Sequence, residues 1–403
     1  MRKMNNKRFL QGHHWALQKR KVRLIGLDSF RQRVRSAFLS LIAALLVMYL
    51  TACALAPKES SPVVPSSEVP SSEMPSFAWQ STLQTDRPLV GKIWWQKEGR
   101  FVSPSELLAE LVQHEVVLLG EKHDNPDHHS IEAWLIQRLA ESGELKSIYF
   151  EMLDMKQQAV LTELNARPVT PELSLVELKA QLKWPDKGWS WEDYGALIKQ
   201  SFALELNVKP ANVSREVVAG FYKDPQWVEN LAPKGEAITL GLYHQIDVSH
   251  CLMLTEAQVY RMIAAQAFRD KNMADQLNSG HHSRLLVAGN FHIRRDFGVP
   301  NYAANSSEWV NIALMEVADS DDPGDYNLRS HKLRSPKPLA PKLLENQPFE
   351  SVSPEVLGAG RDQVIHGLDP EAGLVLKPFD FIWFTPRWTD RDYCKDMQPI
   401  KSK

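Results

Sequence analysis

Val116-Val117-Leu118-Leu119-Gly120-Glu121-Lys122-His123-Asp124-Asn125-Pro126-Asp127-His128-His129 is the stretch on which the rest of the chain turns. Its first four residues form a short apolar run rich in β-branched side chains, the pattern of a strand buried on both faces of a parallel sheet. Gly120 lets the chain turn at the strand's end, which delivers Glu121 and His123 to the sheet's carboxyl edge. In open α/β sheets that edge is where ligands bind. About 170 residues later the pattern returns: Arg284-Leu-Leu-Val-Ala288 is again a short strand, and Gly289-Asn290-Phe291-His292 repeats Gly-x-x-His. Together the two predict an α/β fold, a mostly parallel sheet flanked by helices with a smaller helical subdomain.

Around these motifs the other elements can be read off. Val90–Phe101 reads as an introductory hairpin, and Ser103-Pro104 opens a helix with Ser at the cap and Pro at its first position. Pro126 begins a long helix with Ile131, Leu135 and Leu139 on one face. Ser147–Met152 is the next strand, and a right-handed crossover sets Glu151 beside Glu121 and His123. Met155 to Phe202 looks helical and dense in aromatics, more often helix-packing core than pocket lining. A strand over Leu206–Val213, mixed helix and loop over Arg215–Glu256, a strong helix over Glu256–Leu277 and a strand over Val310–Val317 follow. Phe379–Phe384 closes the sheet. The pairs His128-His129 and His281-His282 are read as surface residues, since adjacent positions on a helix point apart.

The charge is uneven. Residues 1–52 carry 11 Lys or Arg against Asp28 alone, and with the whole chain at −2 the remainder stands at −12. Such an acidic body has no basic tract for a phosphate backbone, so nucleic acid is excluded as a partner. Ala37–Leu50 is an apolar run of 14 residues, too short for a comfortable membrane span and suited to a secretory h-region. Residues 1–52 are therefore expected to be a lipoprotein signal peptide. Leu50-Thr51-Ala52-Cys53 resembles a bacterial lipobox, which implies cleavage before Cys53 and a lipid anchor on its thiol. Residues 53–85 follow as a Pro- and Ser-rich tether, residues 86–318 as the α/β domain, and residues 319–403 as a C-terminal extension carrying the closing strand. With Cys53 lipidated, Cys251 and Cys394 remain as an even pair, expected to form a disulfide in an oxidising compartment; the alternative is a free thiol at Cys251.

Val116–His129, Ala265–Ala274, Gly289–Pro300, His250-Cys251 and Phe381–Pro386 together resemble the ChaN family of haem-binding lipoproteins. The resemblance spans about residues 100–390. It implies haem held by a periplasm-facing lipoprotein at the outer membrane, with a role in haem or iron uptake. The partners it implies are haem, the membrane, an outer-membrane haem receptor and a second copy of the chain. ChaN belongs to a wider group with the Tiki metalloproteases and the erythromycin esterase-like proteins, in which the two Gly-x-x-His motifs and a Glu form the active site.

Two chemistries compete for these residues. Haem needs an apolar slot, an axial ligand and cations near its propionates. The resemblance implies a Tyr ligand, for which Tyr194, Tyr222 and Tyr243 are the candidates; His250 can ligate or support it. Arg269, Arg294 and Arg295 can meet propionates, although Arg269 with Asp270 also reads as a surface ion pair. Glu121, His123, Glu151 and His292 complete that haem site. In the second chemistry His123, His292, Glu121 and Glu151 hold a divalent metal such as Zn²⁺ or Mn²⁺ for a hydrolase. A structural lipoprotein with a vestigial site is the third reading.

Overall fold

A computed structural model describes residues 78–167, 173–185, 188–223, 236–280, 282–326 and 377–396. The signal peptide, Cys53, most of the tether, His281 and the side chain of Tyr222 lie outside the described residues. No helix among the described residues is long and apolar enough to cross a membrane.

The chain opens with β1 (Ile93–Trp95) and β2 (Arg100–Val102), then α1 (Pro104–Leu111), whose start is fixed by a reciprocal capping box between Ser103 and Glu106. β3 (Val116–Glu121) and α2 (Pro126–Glu141) follow, the helix capped by the Asn125 side chain with Pro126 behind it. β4 (Leu145–Asp154) leads to three helices, α3 (Gln158–Asn165), α4 (Leu175–Gln181) and α5 (Trp191–Ala203). After β5 (Asn207–Asn212) come α6 (Arg215–Lys223), α7 (Glu236–Ser249) and the long α8 (Glu256–Asn278). β6 (Ser283–Gly289), β7 (Trp309–Glu316), β8 (Phe381–Thr385) and the short α9 (Tyr393–Asp396) complete the strands and α-helices among the described residues.

The strands form one sheet in the order β2-β1-β8-β7-β3-β6-β4-β5. From β8 to β5 all pairings are parallel, and the β1–β2 hairpin adds an antiparallel edge. Two positions differ from the sequence reading. Glu151 is not on the strand next to Glu121, because β6 inserts between β3 and β4. Nor does the late strand close the sheet's rim: β8 lies inside it, between β7 and β1. Local pattern tells a strand from a helix but carries no information about which strands become neighbours.

Every residue of β3 is buried, and its alternation sorts the core into layers. Val117 and Leu119 face a cluster with Leu107, Leu111, Ile131, Leu135 and Leu197; Val116 and Leu118 face another with Met273, Ala274 and Leu277 of α8. A smaller helical cluster, Leu242 and Ile246 of α7 with Val259 and Ile263 of α8, packs beside the sheet. By the same parity Glu121 points towards the α2 and α5 side.

Candidate functional site at the carboxyl edge of the sheet

β3 and β6 are parallel and in register, with Glu121 opposite Gly289, so the two Gly-x-x-His motifs emerge side by side. Both glycines are there for lack of a side chain. A Cβ on Gly120 would lie 2.5 Å from both Asn290 Oδ1 and Ile293 Cδ1, and one on Gly289 would lie 2.7 Å from His123 Nε2. The second glycine is thus the floor on which the first motif's histidine rests.

Three strand ends contribute to one network. His123 Nδ1 lies 2.9 Å from Glu121 Oε1, and His123 Nε2 faces Glu151 Oε2 at 3.9 Å. His292 Nε2 is 3.1 Å from Glu151 Oε1, and its Nδ1 makes a short contact with Asp270 Oδ1. Glu151 also accepts the Gly289 backbone N–H at 2.9 Å. Each histidine therefore has one nitrogen on a buried carboxylate and the other turned towards Glu151. That is the arrangement in which a second carboxylate fixes the tautomer and orientation of a metal-ligating histidine.

The electrostatics follow from enclosure. Burial opposes a charge on His292, but Glu151 and then Asp270 outweigh it and push its pKa up to about 10. Burial likewise works to raise the carboxyl pKa of Glu151, yet His292 and His123 hold it below the usual carboxylate range. Burial works to raise the pKa of Glu121 as well, yet His123 and His129 hold it below the usual carboxylate range. His123 is the open member, its side chain 38% exposed and its ring 4.7 Å from that of Trp189.

Several side chains lie elsewhere than the sequence reading has them. Tyr194 is only 1% exposed and donates its hydroxyl to Glu121 at 2.7 Å. Burial, then Glu121 and Glu132, oppose its ionisation, so it is a poor tyrosinate for iron. His128 and His129 are both buried, not on the surface, because the start of α2 is enclosed on two sides. His128 Nδ1 accepts the Lys122 N–H at 2.9 Å and its Nε2 meets Thr385 Oγ1 at 3.0 Å; burial pushes its pKa down to about 3. His282 is exposed. Asp270 is fully buried against His292, so it does not form a surface pair with Arg269.

The cations expected near propionates are largely engaged. Arg294 grips Asp296 with two hydrogen bonds, at 2.8 and 2.6 Å, and lies over the Phe297 ring. Arg295 is held by Asp380. Arg269 is half-buried, with its Nε unpartnered. On the helical side, Tyr243 is half-buried against Tyr260, their ring centroids 5.7 Å apart. His250 at the end of α7 has Nδ1 2.7 Å from the Ile246 carbonyl, which leaves Nε2 as its lone-pair nitrogen. Cys251 and Cys394 are joined by a disulfide, and neighbouring Tyr393 donates to Asp124, next to His123.

Sequence reasoning gave no site role to Asp270, His129 or Glu132. The last two occupy positions i and i+3 of α2 and so share a face. Among the described residues, Glu121, His129 and Glu132 bring three donor atoms within 4.8 Å of one another.

Residues 107–303 match a family model described as haem-binding uptake, Tiki superfamily, ChaN. A solved structure described as cofacial haem binding to ChaN of Campylobacter jejuni is 24% identical, with a TM-score of 0.51, and is matched over 57% of this chain and 92% of that one. An erythromycin esterase mutant in its open conformation is 14% identical, with a TM-score of 0.32, over 53% of this chain and 73% of that one. A Bacillus cereus protein is 11% identical, with a TM-score of 0.31, over 71% and 92%. No curated protein matches the chain.

Proposed function

We propose that this chain, which over residues 107–303 belongs to the ChaN family of haem-binding uptake proteins in the Tiki superfamily, binds haem beside the carboxyl edge of its sheet. The observation that carries the reading is the family match, which spans both Gly-x-x-His motifs and the helices between them. The donor chemistry fits. With Nδ1 on a backbone carbonyl, His250 has the tautomer of an iron-ligating histidine, its Nε2 free to bind. Tyr243, seven residues earlier on the same helix, shares that face. Of the expected iron ligands Tyr194 drops out, since its hydroxyl is enclosed and committed to Glu121. His123 and Trp189 form a partly exposed aromatic pair at the edge that would offer apolar surface to haem. Haem, when bound, supplies the iron chemistry; the chain supplies a ligand, an apolar face and enclosure.

The test is an absorption titration with haemin. The wild-type protein should give a Soret shift at one saturable site, His250→Ala should move the band and weaken binding about tenfold or more, and Tyr194→Phe should leave both unchanged. No Soret shift, or a His250→Ala variant identical to wild type, overturns the assignment.

The finer role rests on the sequence. We place the protein at the outer membrane, anchored through Cys53 and passing haem between a receptor and the cell, with a second copy as a further partner. Cys53→Ala should lose acyl labelling and remain unprocessed. Continued cleavage and membrane partitioning of that variant would remove the anchor.

A divalent-metal hydrolase is the second reading, favoured by the paired carboxylate–histidine contacts. His123 Nε2, His292 Nε2 and Glu151 are the groups that would hold the metal, with Glu121 and Asp270 orienting the two rings. When bound, the ion would supply Lewis acidity towards a carbonyl. Without it the His292 imidazolium is held between two carboxylates, so loading the edge must displace a proton from that ring.

A further inference from the structure

Behind the edge His129 and Glu132, which neither reading uses, meet the second carboxylate oxygen of Glu121. Glu132 sits on the apolar face of α2, where Ile131, Leu135 and Ile136 pack into the core, and it is 0% exposed. Neither of its carboxylate oxygens has a hydrogen-bond partner. The facing atoms, Glu121 Oε2 and His129 Nε2, lie 2.9 Å apart and are likewise without a well-aligned hydrogen bond. Buried polar atoms left unsatisfied cost about 1–3 kcal/mol each, so several together call for an ion, a shared proton or water between them. An apolar residue at 132 would continue the helix's buried stripe, so packing alone does not account for the glutamate.

We propose that Glu121 Oε2, His129 Nε2 and Glu132 form an interior site for a first-row divalent cation of the Mn²⁺ or Zn²⁺ class. Two carboxylates and an imidazole make a mixed oxygen and nitrogen donor set that suits such ions. Ligand atoms at about 2.0–2.2 Å from an ion stand at most about 4.4 Å apart. The observed donors, all within 4.8 Å of one another, need only small side-chain adjustments. Burial and then the adjoining Glu121 push the Glu132 carboxyl well above the usual carboxylate range, and no Lys or Arg is among the groups acting on it, so a bound cation would take the place of its proton. Glu121 joins this site to the edge, because its other oxygen, Oε1, receives His123 and Tyr194. A cation here would pin the end of β3 to the first turns of α2. This inference is independent of haem binding, which the haemin titration reads separately.

The experiment is a titration of the chelator-stripped full chain with Mn²⁺ alone, followed by the loss of the free-ion electron paramagnetic resonance signal. One equivalent should disappear in Glu132→Gln, an isosteric change, with affinity down about a hundredfold, and should survive in His292→Ala. Chelator should lower the melting temperature of the wild type and leave that of Glu132→Gln unmoved. If Glu132→Gln does not fold, His129→Gln carries the same expectations. Uptake unchanged in these variants, uptake lost only in His292→Ala, or no uptake at all with Glu132→Gln as stable as wild type (a shared proton only) overturns the proposal.

Discussion

Glu151→Ala should lose about 3–5 kcal/mol of stability in urea unfolding of the metal-free protein, the loss expected when one partner of a buried ion pair is removed. Glu151 is 3% exposed and has three attachments: His292 at 3.1 Å, the Gly289 amide at 2.9 Å and His123 at 3.9 Å. Taking it away leaves an imidazolium with Asp270 as its one adjoining carboxylate among the described residues, and a backbone N–H that has lost its acceptor. Lys271→Ala, which removes an exposed ion pair with Asp275, is the control and should cost under about 1 kcal/mol. Equal effects from the two variants would mean that the edge network contributes nothing to stability.

The second large effect is on the pH dependence of stability. His292 has its pKa raised from the 6.5 of an unperturbed imidazole to about 10 in the folded state. Its contribution is therefore complete below about pH 6.5 and is lost as pH rises towards 10. Glu151 works in the other direction. Its folded pKa is depressed below 4.5, so its contribution is present above that value and is lost as pH falls. Metal-free protein should be most stable between about pH 4.5 and 6.5, losing a few kcal/mol by pH 10. His292→Gln should flatten the alkaline limb. A wild-type profile already flat from pH 6.5 to 10 would mean that the imidazolium is not held between its carboxylates.

How much of this was legible in the sequence depends on whether a property is local. The buried run Val116–Leu119 and the repeat at Gly289 are local, so Glu121, His123, Glu151 and His292 were read near the carboxyl ends of strands. The turn expected at Gly120 does not occur, because β3 runs through it to Glu121. The grouping of those four residues depended on strand order, and the insertion of β6 between β3 and β4 has no signature in either strand. Asp270 was hidden by its neighbour Arg269, since an adjacent acid and base on a helix look solvated. His129 and Glu132 were hidden by polarity. They follow the same helical spacing as Leu135, Ile136 and Leu139, and treating charged residues as part of that stripe would have revealed a buried face. The iron ligand was not separable in sequence because Tyr194 and Tyr243 differ only in what surrounds them.

The strand order also governs when the site can come into being. β3, which carries the first motif, has β6 and β7 as its sheet neighbours, and both lie downstream of Ser283. While the chain is being made, Glu121 and His123 therefore wait on a strand with no native partner until residues 283–316 are available. β4 and β5, by contrast, are paired neighbours in the finished sheet and can meet much earlier. Premature pairing of β3 with β4 would fill the place that β6 must take, and that long-range insertion is the slow kind of contact. A nascent chain stalled before Ser283 would hold the first histidine and Glu151 without the glycine floor or His292, and so would have neither half of the edge in working form.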